Sequence, residues 1–214
     1  MKITVAGETV QVRGKTMEEI AIDRGGAGAP GSAHAAEPHF EIHPLSEDRF
    51  ALSLWGRFPP GWCGALSLSL SQVGLGVVQG FAKKVREKAW VAEFEIESAQ
   101  GGLAIDSMDF IAMAVSSARA PGLRRLALSA FTIGDPTRHG GAIYLEIHGQ
   151  DQVGFLAELL GQLAFLTFFP EEMVVQTTND AVFDRFLLRG PGGQTPPPGA
   201  CQALSTWLEG LRAA

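Results

Sequence analysis

Between Ala142 and Leu188 the hydrophobic pattern changes period along the chain. Ile143, Leu145 and Ile147 alternate with Tyr144, Glu146 and His148, the period of two that a half-buried strand requires. A polar loop follows, Gly149-Gln150-Asp151-Gln152-Val153-Gly154. Phe155, Leu159, Leu163 and Leu166 then recur at the spacing of one helix face. A strand, a turn and a second strand ending at Leu188 complete the stretch. Upstream, His39–His43 and then Phe50, Leu52 and Leu54 read as strands. Leu75–Val85 and Ala89–Glu97 read the same way, the latter with Trp90, Ala92, Phe94 and Ile96 on one face. Asp106 is expected to cap a helix whose face is Met108, Ile111, Ala112 and Val115, ended by Pro121-Gly122. Leu126, Leu128 and Ala130 alternate as another strand. A last helix runs from about Ala200 to Arg212, with Leu204, Trp207, Leu208 and Leu211 apolar.

The pattern repeats. Gly56-x4-Gly61-Trp62 has the spacing of Gly149-x4-Gly154-Phe155, at an offset of 93 residues. At the same offset Leu54 meets Ile147, Leu66 meets Leu159, Leu70 meets Leu163 and Val73 meets Leu166. Apolar and glycine positions held in one register indicate an internal repeat. Residues 61–73 are therefore expected to be helical, although Leu66-Ser-Leu-Ser-Leu-Ser71 by itself alternates like a strand.

The N-terminal residues read as a hairpin, Ile3-Thr4-Val5 against Val10-Gln11-Val12. A capping box of Thr16 and Glu19 follows, opening a short helix through Met17, Ile20 and Ala21. Small residues and two prolines then mark a linker. The expected organisation is an N-terminal hairpin and helix extension over 1–24, a linker over 25–36, and two repeat units over 37–119 and 123–214.

The second unit resembles an ACT domain, the small regulatory module that binds amino acids in many metabolic enzymes. The resemblance rests on a strand ending in glycine, the Asp151-x-x-Gly154 turn, the Phe-Leu-Ala-Glu-Leu-Leu helix start and the Phe183-Asp184-x-Phe186 strand. It is closest to the C-terminal ACT domains of the bacterial uridylyltransferases of nitrogen control. The implied fold is α+β: two ferredoxin-like units, each an antiparallel four-stranded sheet with two helices on one face. The family's unit runs βαββαβ and ends on a strand, whereas this chain ends on a helix. Either each unit is permuted to ββαββα, with its edge strand placed first, or Leu126–Ile133 closes the first unit and the second borrows an edge from residues 2–13. The family often has an acid where Asp184 stands. An alternating strand there must bury either Asp184 or Arg185, and the sequence leaves that choice open.

What the resemblance implies about binding falls on the loop between the first strand and the first helix. An acid or amide there takes the ammonium group of an amino acid, and Asp151 and Gln150 match those positions. The helix N-terminus offers free N–H groups and the positive end of a dipole to a carboxylate. The candidate ligand-binding residues are Gly149, Gln150, Asp151, Gln152, Val153, Gly154, Phe155 and Leu156. The alternative is a tight turn in which Asp151 simply caps the helix. A weaker second site is Arg57, Gly61 and Trp62, where no acid stands in the place of Asp151.

Composition narrows the partners. Hydrophobic residues make up 46% of the 214 and charged residues 19%, which is enough for a real core. The net charge is −6 and the basic runs stop at the pairs Lys83-Lys84 and Arg124-Arg125, which argues against nucleic acid. The N-terminus lacks a signal peptide's apolar region. Phe58–Ala82 is uncharged but broken by prolines, glycines and serines, so no membrane span is expected. Cys63 and Cys201 are expected to stay reduced in a cytoplasmic protein. His39 and His43 would sit about 13 Å apart on a strand, too far to share a metal. Gly14-Lys15-Thr16 lacks the upstream glycine of a phosphate loop. Glu93 and Glu95 read as a solvated strand face. No cofactor and no catalytic set is expected. The function implied is a free-standing regulatory protein that binds an amino acid or similar small metabolite, dimerises through sheet edges and signals to a protein partner. The alternative is an interaction module that binds no ligand.

Overall fold

The computed structural model describes residues 2–5, 8–11, 37–85, 89–99, 103–116 and 126–212. Strands β1 (Lys2–Val5) and β2 (Glu8–Gln11) pair antiparallel as a separate hairpin. The expected capping box at Thr16 and the linker over 25–36 lie outside the described residues.

The rest is α+β, built on one open antiparallel sheet of eight strands. In chain order these are β3 (His39–Pro44), β4 (Arg49–Gly56), β5 (Leu75–Lys84), β6 (Trp90–Ser98), β7 (Leu128–Ile133), β8 (Ile143–Gln150), β9 (Phe169–Thr178) and β10 (Ala181–Arg189). Across the sheet the order is β3-β4-β6-β5-β9-β10-β8-β7. The order is the same read inward from either edge. Each half begins with an outer hairpin, β3–β4 or β7–β8, and the inner strands β5 and β9 join the halves through Gln79–Lys83 against Glu172–Gln176. Leu128–Ile133 thus pairs with β8, at the far edge from the first half. A hairpin is antiparallel, so a strand preceding β8 fills that edge as well as one following β10 would.

Among the described residues four α-helices cover one face: α1 (Trp62–Gln72), α2 (Phe110–Val115), α3 (Phe155–Phe165) and α4 (Pro198–Leu211). Period-two burial makes the sheet's inner face. Trp90, Ala92, Phe94 and Ile96 of β6 and Ile143, Leu145 and Ile147 of β8 join Phe110, Leu204 and Leu208 of the helices in one core. The outer face carries cross-strand ion pairs: Arg49 to Glu95 and Glu97, each at 3.2 Å, Lys83 to Glu172 at 2.9 Å, and Arg185 to Glu146 at 3.1 Å. Asp184 therefore faces the core and Arg185 the outer face. Glu95 is not the solvated acid expected. It is engaged by Arg49 and accepts a hydrogen bond from Gln79 at 2.9 Å.

Residues 62–72 are helical despite their leucine–serine alternation, because α1 is flanked on both sides. Leu66 and Leu70 face the core. Ser69 reaches α2, donating to the Met113 carbonyl at 3.4 Å, and Gly64 brings α1 close to Leu160 of α3. Serines on the flanks of a helix let its neighbours approach, and a strand reading of the same run misses that need. The uncharged stretch Phe58–Ala82 is thus a helix and a strand, and among the described residues no helix is long and apolar enough to cross a membrane. α2 differs from its expected form. Its cap is Asp109, which accepts from the Ala112 N–H at 2.9 Å, and its buried residues are Phe110 and Ala114. Asp106 lies instead in a single 3-10 turn, Ile105–Ser107, and Val115 is exposed.

Candidate functional site

The structure carries the repeat to the level of single residues. α1 and α3 begin and end at the 93-residue offset. Each opens on a left-handed glycine, Gly61 at φ 84° and Gly154 at φ 87°, with no side-chain cap. A residue with a Cβ would be strained there, so the tight entry to each helix requires glycine. Each inner strand carries a bulge at the matching place. The extra residue is Val78 in β5 and Glu171 in β9. Bulges re-aim the neighbouring side chains, and both lie beside cavities.

Among the described residues, two cavities are each assembled from both halves. The smaller, about 100 Å³, lies where the Asp151 loop and the start of α3 meet Ser67 and Ser71 of α1 and Leu75–Val77 at the start of β5. The larger, about 420 Å³, lies where Pro60–Gly64 meet Leu160 and Ala164 of α3 and Phe168–Pro170 at the start of β9. The correspondence follows the repeat: Ser67 and Ser71 match Leu160 and Ala164, and Leu75–Val77 match Phe168–Pro170.

The smaller cavity is acidic. Asp151 and Asp184 both line it. Burial pushes Asp184 up to about 7, against one hydrogen bond from the Gln176 N–H at 3.3 Å, and the charge of Asp151 pushes the same way. Asp151 is raised chiefly by desolvation. The Gln152 N–H opposes that shift, and the nearby Asp180 adds to it. The Asp151 N–H is tied to the Asp180 carbonyl at 2.7 Å. Asn179 and Asp180, both at positive φ, make the tight turn that holds the β9–β10 hairpin tip against the loop. Leu156 and Ala157, in the uncapped first turn of α3, complete the wall. The cavity thus offers two carboxyl groups to a cation and a helix N-terminus to an anion.

Of the eight residues the sequence singled out, Asp151, Gln152, Val153, Gly154, Phe155 and Leu156 line this cavity. Gly149 and Gln150 do not. A Cβ on Gly149 would lie 2.7 Å from the Ala127 carbonyl, so that glycine serves the close approach of the chain entering β7. Gln150 pairs with Ala181 at the end of β8. In the first half Gly61 and Trp62 line the larger cavity, whereas Arg57 is exposed and stands outside it. Sequence reasoning overlooked Lys84, Glu171 and Arg189, which also line the larger cavity. It also gave Asp184 no role. An acid inside the apolar run Val182–Leu188 was the signal for Asp184. The cations gave no comparable signal, because each ends a strand where charge is ordinary.

No family model, curated protein or solved structure matches the chain.

Proposed function

We propose that the chain is a ligand-responsive regulatory module made of two ACT-like ββαββα units, and that it binds a small amino acid, or a similar amine-bearing metabolite, in the Asp151–Asp184 cavity. One observation carries the reading: the cavity takes its loop and acids from one half and Ser67, Ser71 and the start of β5 from the other. A ligand seated there favours one arrangement of the halves over others, and a protein that contacts both halves reads that preference. The acids suit the ammonium group and the α3 N-terminus suits the carboxylate. The small volume favours ligands with short side chains.

The chemistry supplies its own test. Burial pushes Asp184 up to about 7, so an ammonium group bound beside it favours the ionised form and releases a fraction of a proton at pH 7. Calorimetric titration of glycine, alanine and serine in buffers of different ionisation enthalpy should show that release, and Asp184→Asn should abolish it. A thermal-shift screen of the twenty amino acids at millimolar concentration should raise the melting temperature with the same small members. Absence of both signals would leave the ligand-free interaction module as the better account.

A further inference from the structure

The larger cavity inverts the charge of its counterpart, and that inversion points to a different ligand. We propose that it binds a carboxylate carried on an aromatic or branched apolar body, with Arg189 and Lys84 taking the carboxylate and the rings of Trp62, Trp90 and Phe168 taking the body. This deepens the paired-site reading above and rests on it.

Charge comes first. Three charged residues line the cavity: Lys84, Glu171 and Arg189. Glu171 sits 3.1 Å from Arg189 Nε and 3.8 Å from Lys84 Nζ, so one acid faces two cations and the rim keeps an excess positive charge. Nε is the Arg189 nitrogen that engages Glu171, which uses one of the five N–H donors of a guanidinium. The remaining donors lie in one plane, and a pair of them along one edge matches the two oxygens of a carboxylate. Glu171 is the extra residue of the β9 bulge, which re-aims side chains where it meets the cavity.

An ammonium group has no comparable partner. Where the smaller cavity has Asp151, the repeat places Phe58; in β6 the offset is one residue shorter, since Trp90 pairs with Gly56 as Val182 pairs with Gly149, so Ala92 stands where Asp184 does. The acid that remains, Glu171, is already bound by Arg189. Where Thr177 lines the smaller cavity, Lys84 lines this one.

The walls select the body. Phe58 stacks on Trp62 with ring centroids 4.5 Å apart, and Trp62 meets Trp90 edge-on at 5.5 Å. Trp62, backed by Phe58, joins Trp90 and Phe168, which is 1% exposed, in a rigid apolar wall. Trp62 Nε1 is also buried without a hydrogen-bond partner, so this side chain is held by ring packing alone. The volume, about 420 Å³, falls within the range of small-molecule pockets, roughly 300–1,000 Å³.

The test uses the full chain, isothermal titration calorimetry and three probes: phenylacetate, phenethylamine and phenylalanine. Phenylacetate should bind and phenethylamine should not. Phenylalanine should bind no more tightly than phenylacetate, because its ammonium group finds no acid. Arg189→Met should weaken phenylacetate by about tenfold or more, and Arg189→Lys by less, since it keeps the charge and loses the fork. Ala164→Phe fills the cavity from α3 without touching a charge and should block phenylacetate. The proposal is overturned if phenethylamine binds as well as phenylacetate, if phenylalanine binds and phenylacetate does not, or if Ala164→Phe and Arg189→Met leave phenylacetate binding intact. If phenylacetate fails while glycine, alanine or serine still binds in an Asp184-dependent way, this inference falls and the paired-site reading stands. If neither these probes nor glycine, alanine or serine binds, both fall.

Discussion

The two cavities share a frame and differ in what fills it. Both sit at the start of a helix opened by a left-handed glycine, beside a bulged inner strand, against the helix of the opposite half. One is about 100 Å³ and lined by two acids. The other is about 420 Å³ and lined by rings, two cations and one acid. The repeated backbone determines where a small molecule can touch both halves, and a few side chains determine which molecule that is. The positions that line the smaller cavity have changed between the halves: Asp184 against Ala92, Asp151 against Phe58, Ser67 against Leu160. The scaffold positions stay alike, as at Leu70 against Leu163.

The sharpest way to break this comparison is through Asp184. Its folded value is about 7 against an ordinary 3.8. Between those values the folded state holds more protons than the unfolded state, so stability falls as pH rises through the window, by up to about 4 kcal/mol in all. Ala92, the matching residue, has no such cost. Asp184→Asn should therefore flatten the fall, and the variant should be more stable than the parent above pH 7. Urea denaturation at a series of pH values checks this. If the parent and the variant fall in parallel, the acid cavity is not the strained half of the pair.

A smaller effect tests the shared scaffold. Leu70 and Leu163 hold matching places in α1 and α3 and are both 0% exposed. Both belong to one continuous core. Each truncation to alanine should cost about 3 kcal/mol. Each should shift a single unfolding transition, since a core common to both halves unfolds as one. A biphasic transition in either variant would mean that the halves are thermodynamically separate, which would weaken the case for a ligand acting at their joint.

Much of this frame was legible in the sequence, because it rests on periodicity and on glycine. The Gly-x4-Gly spacing and the leucine register foretold α1 in the face of a strand-like run, since Leu66 and Leu70 had partners at Leu159 and Leu163. The acid cavity was legible through Asp151, whose place before Gly154 sets it at a helix entry. The cation cavity was not. Lys84, Glu171 and Arg189 lie on three strands and converge only because β5, β9 and β10 are neighbours and β9 is bulged. No local pattern encodes such a convergence. The capping residue of α2 was misread for a related reason. Asp106 and Asp109 are both acids before an apolar run, and the 3-10 turn at Ile105–Ser107 that decides between them leaves no periodic trace.

That cap supports the smallest of the effects. The halves differ most in their second helix: α2 has six residues and a capping carboxylate, whereas α4 has 14 residues and starts at Pro198 with no side-chain cap. A short helix relies on its cap more than a long one does, because few internal hydrogen bonds offset the unpaired N–H groups at its start. Asp109→Ala should cost about 1 kcal/mol. The loss should be local, with faster amide exchange over Phe110–Val115 and unchanged exchange in α4. α2 also holds the outer flank of α1 through Ser69 and Met113, so exchange near Ser69, beside the Ser67 and Ser71 wall of the smaller cavity, should rise slightly while the start of α1 does not. If exchange rose equally in α4, the two flanks would be coupled through the sheet, and the cavities would have to be treated as a single device.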